Sequence, residues 1–374
     1  MIMGPITYTY EELIAHKQNL NVSEAVLEKL KSDADAVLEK PLLSVTTIKL
    51  PRPSGDAHDY VSIAPYRWPN PDTPDGLPWI PRDGYVNPDT RTGVHPSAMY
   101  GNIHTLALAA FYFPESAKRY AEYASAQLYT WFIDPETRIN PNAKYGQSIP
   151  GVTEGRGAGL IEFSQTTPLY NAIGIFECMG IIDEKLVAGI KEWFVEFANW
   201  MLTHELGIRI DTTTDNHASW YSANLLSTAI FTNRPALIKK MATESYTRRI
   251  RVAIEPDGSQ PIELHRTKGI GYSFYNLDAM FIFSSLAERL GYTEHWGIDP
   301  ERGVCILKSA VDFIYPYVVD PDSFPYEELH KGQHRSRMAR ALLVVDKRYP
   351  GEGYAERAAQ MLTGNEAWLL EPLL

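Results

Sequence analysis

Four side chains in two separate segments could act together on an acidic sugar. Asn216 and His217 supply an amide and an imidazole, and Arg266 and Tyr272 supply a guanidinium and a phenol. Such a set can neutralise a carboxylate, remove the proton from the carbon beside it and protonate a leaving oxygen. The chemistry that joins these three steps is β-elimination on a uronic acid polymer.

The first pair is placed where a helix is predicted to begin. Asn216 and His217 follow a polar loop and precede an apolar run from Trp220 to Phe231. The amide groups and dipole of a helix N-terminus favour a bound anion, such as a substrate carboxylate. The alternative is that Asp215 or Asn216 only caps the helix and that His217 lies on the surface, because Asn and Asp are common caps.

The second segment combines cations with an aromatic helix start. Arg266 and Lys268, with His265 beside them, precede Tyr272 and Tyr275. Arg266 can bind a carboxylate through a bidentate fork, and nearby positive charge stabilises an ionised phenol at Tyr272. Because the chain holds 22 tyrosines, packing is the alternative for any one of them. The prediction therefore depends on the two segments together.

Other kinds of site find less support. Asp211 with Asp215, or Glu154 with Glu162, could be the acid and base of a glycoside hydrolase, but nothing in their spacing singles them out.

No metal site and no cofactor is predicted. His330 and His334 are four residues apart, but Gly332 between them weakens a helical ligand pair, and no acidic third ligand is evident. The chain also lacks a nucleophile motif and a phosphate-binding loop.

Composition limits the partners. The 374 residues are 44% hydrophobic and 22% charged, which is typical of a soluble globular protein. No run of 18 apolar residues predicts a membrane segment. The net charge of -11 argues against nucleic acid, yet a local basic cleft formed by Arg156, Arg266, Lys268 and His217 would still attract an anionic polysaccharide. The sequence indicates no oligomeric state.

Two further features concern the cellular compartment. Residues 1–5 lack the basic and apolar regions of an export signal. Cys178 and Cys305 lie in apolar helical patterns, which favours two buried thiols, with a disulfide as the alternative.

Helical periodicity dominates the chain, and strand-like alternation is confined to short pieces such as 46–50. An all-α fold is therefore predicted. The helical segments are 10–40, 97–112, 115–132, 165–180, 184–203, 216–232, 234–250, 272–290, 303–318 and 333–348.

Two stretches interrupt the helices. Residues 51–96 are rich in Pro, Gly, Asp and aromatic residues, which indicates an ordered lid or cleft wall rather than a linker. Residues 140–161 contain five glycines, which would let the backbone approach a ligand closely.

Several motifs resemble the alginate lyase superfamily of helical-barrel polysaccharide lyases, nearest the branch with polymannuronate and glucuronan lyases. The similarity runs from about residue 54 to residue 317. The motifs are SGD at 54–56, HDY at 58–60, APYRWP at 64–69, YGQSIPG at 145–151, TEGRG at 153–157 and DGSQPIEL at 257–264.

This resemblance implies an incomplete (α/α) toroid of about five or six helical hairpins, formed by one domain over residues 1–374 with 51–96 as its lid. Asn216 and His217 match the family's Asn-His pair, Arg266 its carboxylate-neutralising arginine and Tyr272 its proton-shuttling tyrosine. The chain departs from the familiar alginate lyases at Asp215, where they carry a second asparagine.

The resemblance also implies a substrate. We expect cleavage of a β-1,4-linked polyuronate, foremost polymannuronate, with glucuronan as the alternative; a glycoside hydrolase and a non-catalytic polysaccharide-binding protein are the alternatives of other classes. Tyr272 would remove the C5 proton and protonate the C4 oxygen when both lie on one face, and His217 would be the base when they do not. The family is mostly exported, which favours a secreted or periplasmic location. The expected substrate-binding residues are Tyr60, Tyr66, Trp68, Gln147, Arg156 and Lys268.

Overall fold

The computed structural model describes residues 4–374, so residues 1–3, with which the export-signal expectation begins, lie outside it. Within that range the chain is mostly helical, as predicted. The α-helices are α1 (Tyr10–Gln18), α2 (Glu24–Leu38), α3 (Pro96–Tyr112), α4 (Ala117–Phe132), α5 (Thr166–Met179), α6 (Glu184–Thr203), α7 (Glu205–Asp211), α8 (Asn216–Phe231), α9 (Pro235–Ser245), α10 (Arg251–Ala253), α11 (Pro261–Leu264), α12 (Gly269–Arg289), α13 (Ile306–Val319), α14 (Arg335–Asp346) and α15 (Tyr354–Ala359).

The long helices begin where the sequence supplies a cap. Helix α6 has the bounds predicted for it, 184–203. The Asp183 carboxylate accepts hydrogen bonds from the backbone N–H groups of Lys185 (2.7 Å) and Leu186 (3.1 Å). These bonds satisfy donors that the first helical turn leaves free, which fixes the start of the helix.

Two predicted helices are divided. The segment 10–40 forms α1 and α2, because the Asn19 side-chain amide donates to the Ala15 carbonyl (2.9 Å) and closes α1. The segment 234–250 ends in a π-helical turn at Tyr246–Ile250. The short helices α7, α11 and α15 were not predicted, because so few residues carry no readable period.

Four short strands lie in the stretches predicted as irregular. They are β1 (Val61–Ile63), β2 (Arg67–Trp68), β3 (Ile80–Pro81) and β4 (Tyr145–Ser148). Strand β1 pairs in parallel with β4, with Val61 opposite Tyr145, and β2 pairs antiparallel with β3. The stretch 51–96 thus contains paired strands, and its role as a lid or cleft wall stays a prediction.

The strand-like alternation at 46–50 does not form a strand. Val45–Thr47 is a turn of 3-10 helix, because the Ser44 hydroxyl accepts the Thr46 N–H (3.2 Å) and caps the turn.

The described chain forms two compact units. The first comprises residues 4–6, Leu30–Thr213 and Ser227–Arg234, and the second comprises Thr7–Lys29, Thr214–Leu226 and Pro235–Leu374. The expectation of one domain over residues 1–374 stays a prediction.

In the first unit, α3 packs against α4 and α5, and α4 packs against α6. Aromatic rings fill the space between these helices: Phe132 lies 5.0 Å from Trp193, which stacks on Phe197 at 5.2 Å. Such rings contribute large apolar areas to a core.

In the second unit, α12 is the central helix and packs against α9 and α11. Its side chains Leu277, Met280 and Phe283 have no exposed surface. Because burying each such side chain contributes about 2 kcal/mol, the body of α12 is a rigid support for the residues at its N-terminus.

The glycines between 140 and 161 serve a different purpose from the one predicted. A Cβ atom on Gly155 would overlap the carbonyl oxygen of Lys144, and one on Gly159 would overlap the backbone of Gly146. These glycines let two parts of the chain itself approach closely, which holds the segment on β4.

The thiols agree with the favoured alternative, since neither Cys178 nor Cys305 forms a disulfide. Cys305 is buried, whereas Cys178 is only half-buried, so the prediction of two buried thiols is correct for one of them.

The part of the chain that the structure describes contains no helix that is both long and apolar enough to cross a membrane. It also contains no group of three or more His, Cys, Asp or Glu residues that could hold a metal ion.

Candidate active site

Asp215 fixes the imidazole of His217. Its carboxylate receives the backbone N–H of His217 (3.2 Å) and lies 3.0 Å from Nδ1 of the same residue. Because an ionised carboxylate can only accept, Nδ1 carries the hydrogen, so in the neutral form of the ring the lone pair is on Nε2. The imidazole is half-buried, and its Nε2 can take a proton from a bound substrate.

Asn216, the first residue of α8, is held by a glutamate from α11. The Glu263 carboxylate accepts the backbone N–H of Asn216 at Oε1 (2.8 Å) and the side-chain amide Nδ2 at Oε2 (2.8 Å). Both residues are 1% exposed. The glutamate therefore caps α8 and fixes the rotamer of the amide at the same time.

Burial raises the pKa of Glu263 above its ordinary value, and the negative charge of Asp215 adds to the rise. The two hydrogen bonds from Asn216 and the positive charge of Arg266 oppose it. The sequence prediction missed Glu263 as a functional candidate. Its signal was the position three residues before Arg266, one helical turn away.

Arg266 and Tyr272 are brought together, as predicted. The guanidinium carbon of Arg266 lies 3.8 Å from the centroid of the Tyr272 ring. At this distance the guanidinium is attracted by the face of the aromatic ring. Arg266 lies two residues after the end of α11, and Tyr272 lies in the first turn of α12.

A second buried glutamate holds the start of α12. The Glu328 carboxylate accepts the backbone N–H of Gly271 (3.0 Å) and that of His330 (2.9 Å), and it lies 3.5 Å from Nε2 of His334. Lys268 precedes α12 and forms a backbone bridge with Glu328. Negative charge at a helix N-terminus is stabilising, so Glu328 fixes the turn that carries Tyr272.

These contacts give stability a pH dependence. Burial opposes the ionisation of Glu328, but the His334 imidazole and the N–H groups of Gly271 and His330 outweigh it and hold the pKa below the ordinary value of 4.5. The unfolded chain therefore takes up a proton first as the pH falls. Stability from Glu328 is complete above pH 4.5 and is lost as the pH falls through the lower, folded pKa.

We expect Glu328→Gln to cost about 2 kcal/mol at neutral pH, because charge-assisted hydrogen bonds become neutral ones. The deficit should shrink in acid, where the wild type loses the same contribution. Thermal unfolding of both proteins from about pH 7 to about pH 3 checks this. Glu327→Gln, at the exposed neighbouring residue, is the control, and an equal deficit at every pH would contradict the assignment.

The histidines weighed as metal ligands have other roles. His334 is 8% exposed and faces Glu328, while His330 contributes its backbone N–H to the same carboxylate. They support the start of α12.

In the first unit, Gln147 and Arg156, both predicted to bind substrate, are in direct contact. Arg156 donates from Nη2 to the side-chain oxygen of Gln147 (2.7 Å) and from Nε to its backbone carbonyl (3.2 Å). Gln147 has φ of 51°, a left-handed conformation that is uncommon for residues other than glycine. Such strain persists where surrounding contacts enforce it and is concentrated at functional sites.

The enforcing contacts come from β1. The Gln147 N–H donates to the Ser62 hydroxyl (2.7 Å), which donates to the buried Glu162 carboxylate (2.5 Å). Glu162 is thus a structural acceptor and not a free catalytic acid. Burial, and next the positive charge of Arg67, lower the pKa of Arg156, while Glu162 opposes the shift. Arg67 and Arg156 are therefore close enough for their positive charges to interact. The sequence prediction missed Arg67, although it lies between two chosen aromatics.

The three aromatic residues predicted from the stretch 51–96 to bind substrate differ in exposure. Tyr60 is 1% exposed and packs edge-on against Phe163 at 5.2 Å, so its ring belongs to the core rather than to a sugar-stacking surface. Burial, and next the charge of Glu162, hold the pKa of Tyr60 well above its ordinary value. Tyr66 and Trp68 are half-buried, and the Trp68 indole N–H donates to the Tyr85 carbonyl (3.1 Å).

Comparison with known proteins gives the class of the molecule. The fold is that of the helical-toroid polysaccharide lyases, as predicted: a crystal structure of an alginate lyase from Bacteroides ovatus matches with a TM-score of 0.92 and 31% identity, covering 99% of each chain. The sequence model of the alginate lyase family matches residues 44–324. The chain belongs to the alginate lyase family.

More distant structures share the fold. Alginate lyase A1-III from Sphingomonas species A1 matches with a TM-score of 0.55 and 16% identity, covering 92% of this chain and 94% of that one. A His→Ala variant of A1-III, complexed with a tetrasaccharide, matches with a TM-score of 0.57 and 16% identity over the same shares of the chains. No curated protein sequence matches. Family membership makes the protein a polysaccharide lyase, against the hydrolase and binding-protein alternatives.

Proposed function

We propose that the protein cleaves alginate by β-elimination, with polymannuronate as the preferred polymer and Asn216, His217, Arg266 and Tyr272 as the catalytic residues. The observation that carries the proposal is the stacking of Arg266 on Tyr272 at 3.8 Å, in the same unit as the fixed Asn216–His217 pair. Family membership supports the reaction class.

The first requirement is to make the C5 proton acidic. The substrate carboxylate beside C5 must accept the charge that develops when the proton leaves. Arg266 supplies a positive charge, and Asn216 retains one of its two amide hydrogens because Glu263 engages only the other. His217 adds a third polar contact. These groups stabilise the transition state more than the bound substrate.

The second requirement is proton transfer. In mannuronate the C5 hydrogen and the C4 oxygen lie on one face of the ring, so Tyr272 as phenolate can remove the first and return the proton to the second. The C4–O bond breaks while the C4=C5 double bond forms, and no co-reactant is consumed. In guluronate the proton lies on the opposite face. There Nε2 of His217, left with its lone pair by Asp215, is the base and Tyr272 the acid.

Side chains of the first unit are proposed to bind uronate groups of the same polymer. Arg156 and Arg67 supply positive charge for uronate groups, and Gln147, Tyr66 and Trp68 supply hydrogen bonds and aromatic surface. In the second unit Lys268 has the same binding role. Tyr60 is buried, and we propose that its ring supports the side chains of this unit from the core.

The reaction leaves a mark that hydrolysis does not. We expect the purified protein to produce, from polymannuronate, unsaturated uronate ends that absorb at about 235 nm. A panel of polymannuronate, polyguluronate and glucuronan ranks the substrates. Glucuronate differs from mannuronate only at C2, so glucuronan, the alternative substrate, tests recognition rather than proton geometry. If no polymer in the panel yields the absorbance, the proposed function is wrong.

A further inference from the structure

We infer that Glu263 is a positioning residue that sets the polarity of the Asn216 amide for the elimination reaction. This inference rests on the proposed function, because it concerns how a proposed catalytic group is presented. Its evidence is separate, and consists of a buried carboxylate engaged by both donors of one residue.

The orientation of the Asn216 amide is set by its hydrogen-bond partners. The two ends of an asparagine amide have nearly the same shape, so only hydrogen-bond partners determine which end faces which way. A carboxylate cannot donate. With Oε2 of Glu263 at 2.8 Å, the amide must turn its Nδ2 toward Glu263 and its carbonyl oxygen away.

This orientation of the amide is also strongly favoured in free energy. Asn216 and Glu263 are each 1% exposed, so water does not compete for these hydrogen bonds. An unpaired buried donor would cost about 1 to 3 kcal/mol, which is enough to keep one orientation almost exclusively. The amide is therefore preorganised before any substrate binds.

Glu263 is also connected through hydrogen bonds to the segment that carries Arg266 and to α12. The backbone N–H of Arg266 donates to the carbonyl of Glu263 (3.1 Å), so Arg266 and the Glu263 carboxylate belong to one short turn. Before that turn, the buried side chain of Gln260 donates to the Ser273 carbonyl (3.2 Å) and accepts from the Asn276 amide (2.9 Å). These two partners lie on α12, the helix of Tyr272. Glu263 therefore joins Asn216 to the turn that also positions the cation and the phenol.

The test is Glu263→Gln. The glutamine has nearly the same shape and can still accept the backbone N–H, but its own amide now donates where the carboxylate accepted. The Asn216 amide should flip so that its carbonyl oxygen accepts from the glutamine, which displaces the remaining Nδ2 hydrogen from the position where it is proposed to contact the substrate carboxylate. We expect kcat on polymannuronate to fall about 30-fold, within the range lost when a partner that orients a functional group is removed, with KM little changed. Glu255→Gln, at an exposed glutamate of the same unit, is the control and should match the wild type.

A double-mutant cycle separates positioning from a general loss of structure. In an Asn216→Ala background there is no amide to orient, so Glu263→Gln should lower kcat by no more than about twofold further. If the losses in kcat from Asn216→Ala and Glu263→Gln simply multiply in the double variant, the inference is wrong. It is also wrong if the folded Glu263→Gln variant has the kcat of the wild type.

Glu263→Asp covers the case in which the glutamine variant does not fold, as judged by circular dichroism. Aspartate remains a pure acceptor, so it keeps the amide polarity and should retain more activity than glutamine; if it is folded and less active than glutamine, the inference fails. When Glu263→Gln does not fold, the aspartate variant carries the same cycle. Absorbance from the wild type tests the function, whereas the ratios between variants test Glu263. If the wild type yields no product, both the proposed function and the inference about Glu263 are wrong.

Discussion

Tyr272→Phe should lower kcat on polymannuronate about 10³-fold while leaving oligosaccharide affinity within about twofold. The substitution removes only the phenol oxygen, which we propose both takes the C5 proton and protonates the C4 oxygen. The ring remains, so its contact with the Arg266 guanidinium at 3.8 Å and the packing of α12 persist. Loss in kcat without loss in binding is the mark of a group that acts in the transition state.

Ultraviolet absorbance of the product measures kcat, and calorimetry with a short mannuronate oligomer measures binding. Tyr129→Phe, at a tyrosine that is 48% exposed on α4, is the control for loss of a phenol as such. Wild-type turnover by Tyr272→Phe would show that another group moves the proton. A selective loss on polymannuronate, with polyguluronate turnover kept, would show that Tyr272 is the base but not the acid.

Arg266→Ala should lower kcat/KM about 10³-fold, because the charge on the substrate carboxylate in the transition state loses its main counter-charge. Arg266→Lys should lower it about 10²-fold. Lysine keeps the charge but has neither the planar fork that binds a carboxylate twice nor the flat face that stacks on Tyr272. The graded series separates charge from geometry.

Arg209→Lys, at an exposed arginine on α7, is the matched control. Steady-state kinetics on one polymannuronate preparation checks all three variants. Full activity in Arg266→Lys would mean that charge alone suffices. Full activity in Arg266→Ala would contradict the carboxylate-neutralising role.

The sequence predicts the long helices of this fold well, for a physical reason. An amphipathic helix repeats its apolar residues over several turns, and a local cap such as Asp183 marks its start. Short elements carry no such signal. The Thr46 region alternates like a strand, but the Ser44 cap makes it a 3-10 turn. Helix α11 is too short for a period, yet it carries Glu263.

The site shows the same division. Residue type, the coupling of two motifs and the family resemblance select Arg266 and Tyr272 as candidates, and the structure places these two in contact. Their supports, Glu263 and Glu328, are glutamates whose importance comes from burial and from partners distant in sequence. No local pattern records such partners. For the glycines near Gly155, the sequence predicts close approach of the backbone to a ligand. The structure shows close approach to another part of the chain.

The proposed roles divide along the two compact units. The four residues proposed for chemistry lie at 214–226 and 235–374, and those proposed to bind uronate groups of the same polymer, apart from Lys268, lie at 30–213. On these proposed roles, we expect substitutions around Gln147 and Arg156 to alter which polymer is bound while leaving the proton-transfer groups unchanged. For an engineer or for natural selection, substrate range and turnover would then be separately adjustable properties.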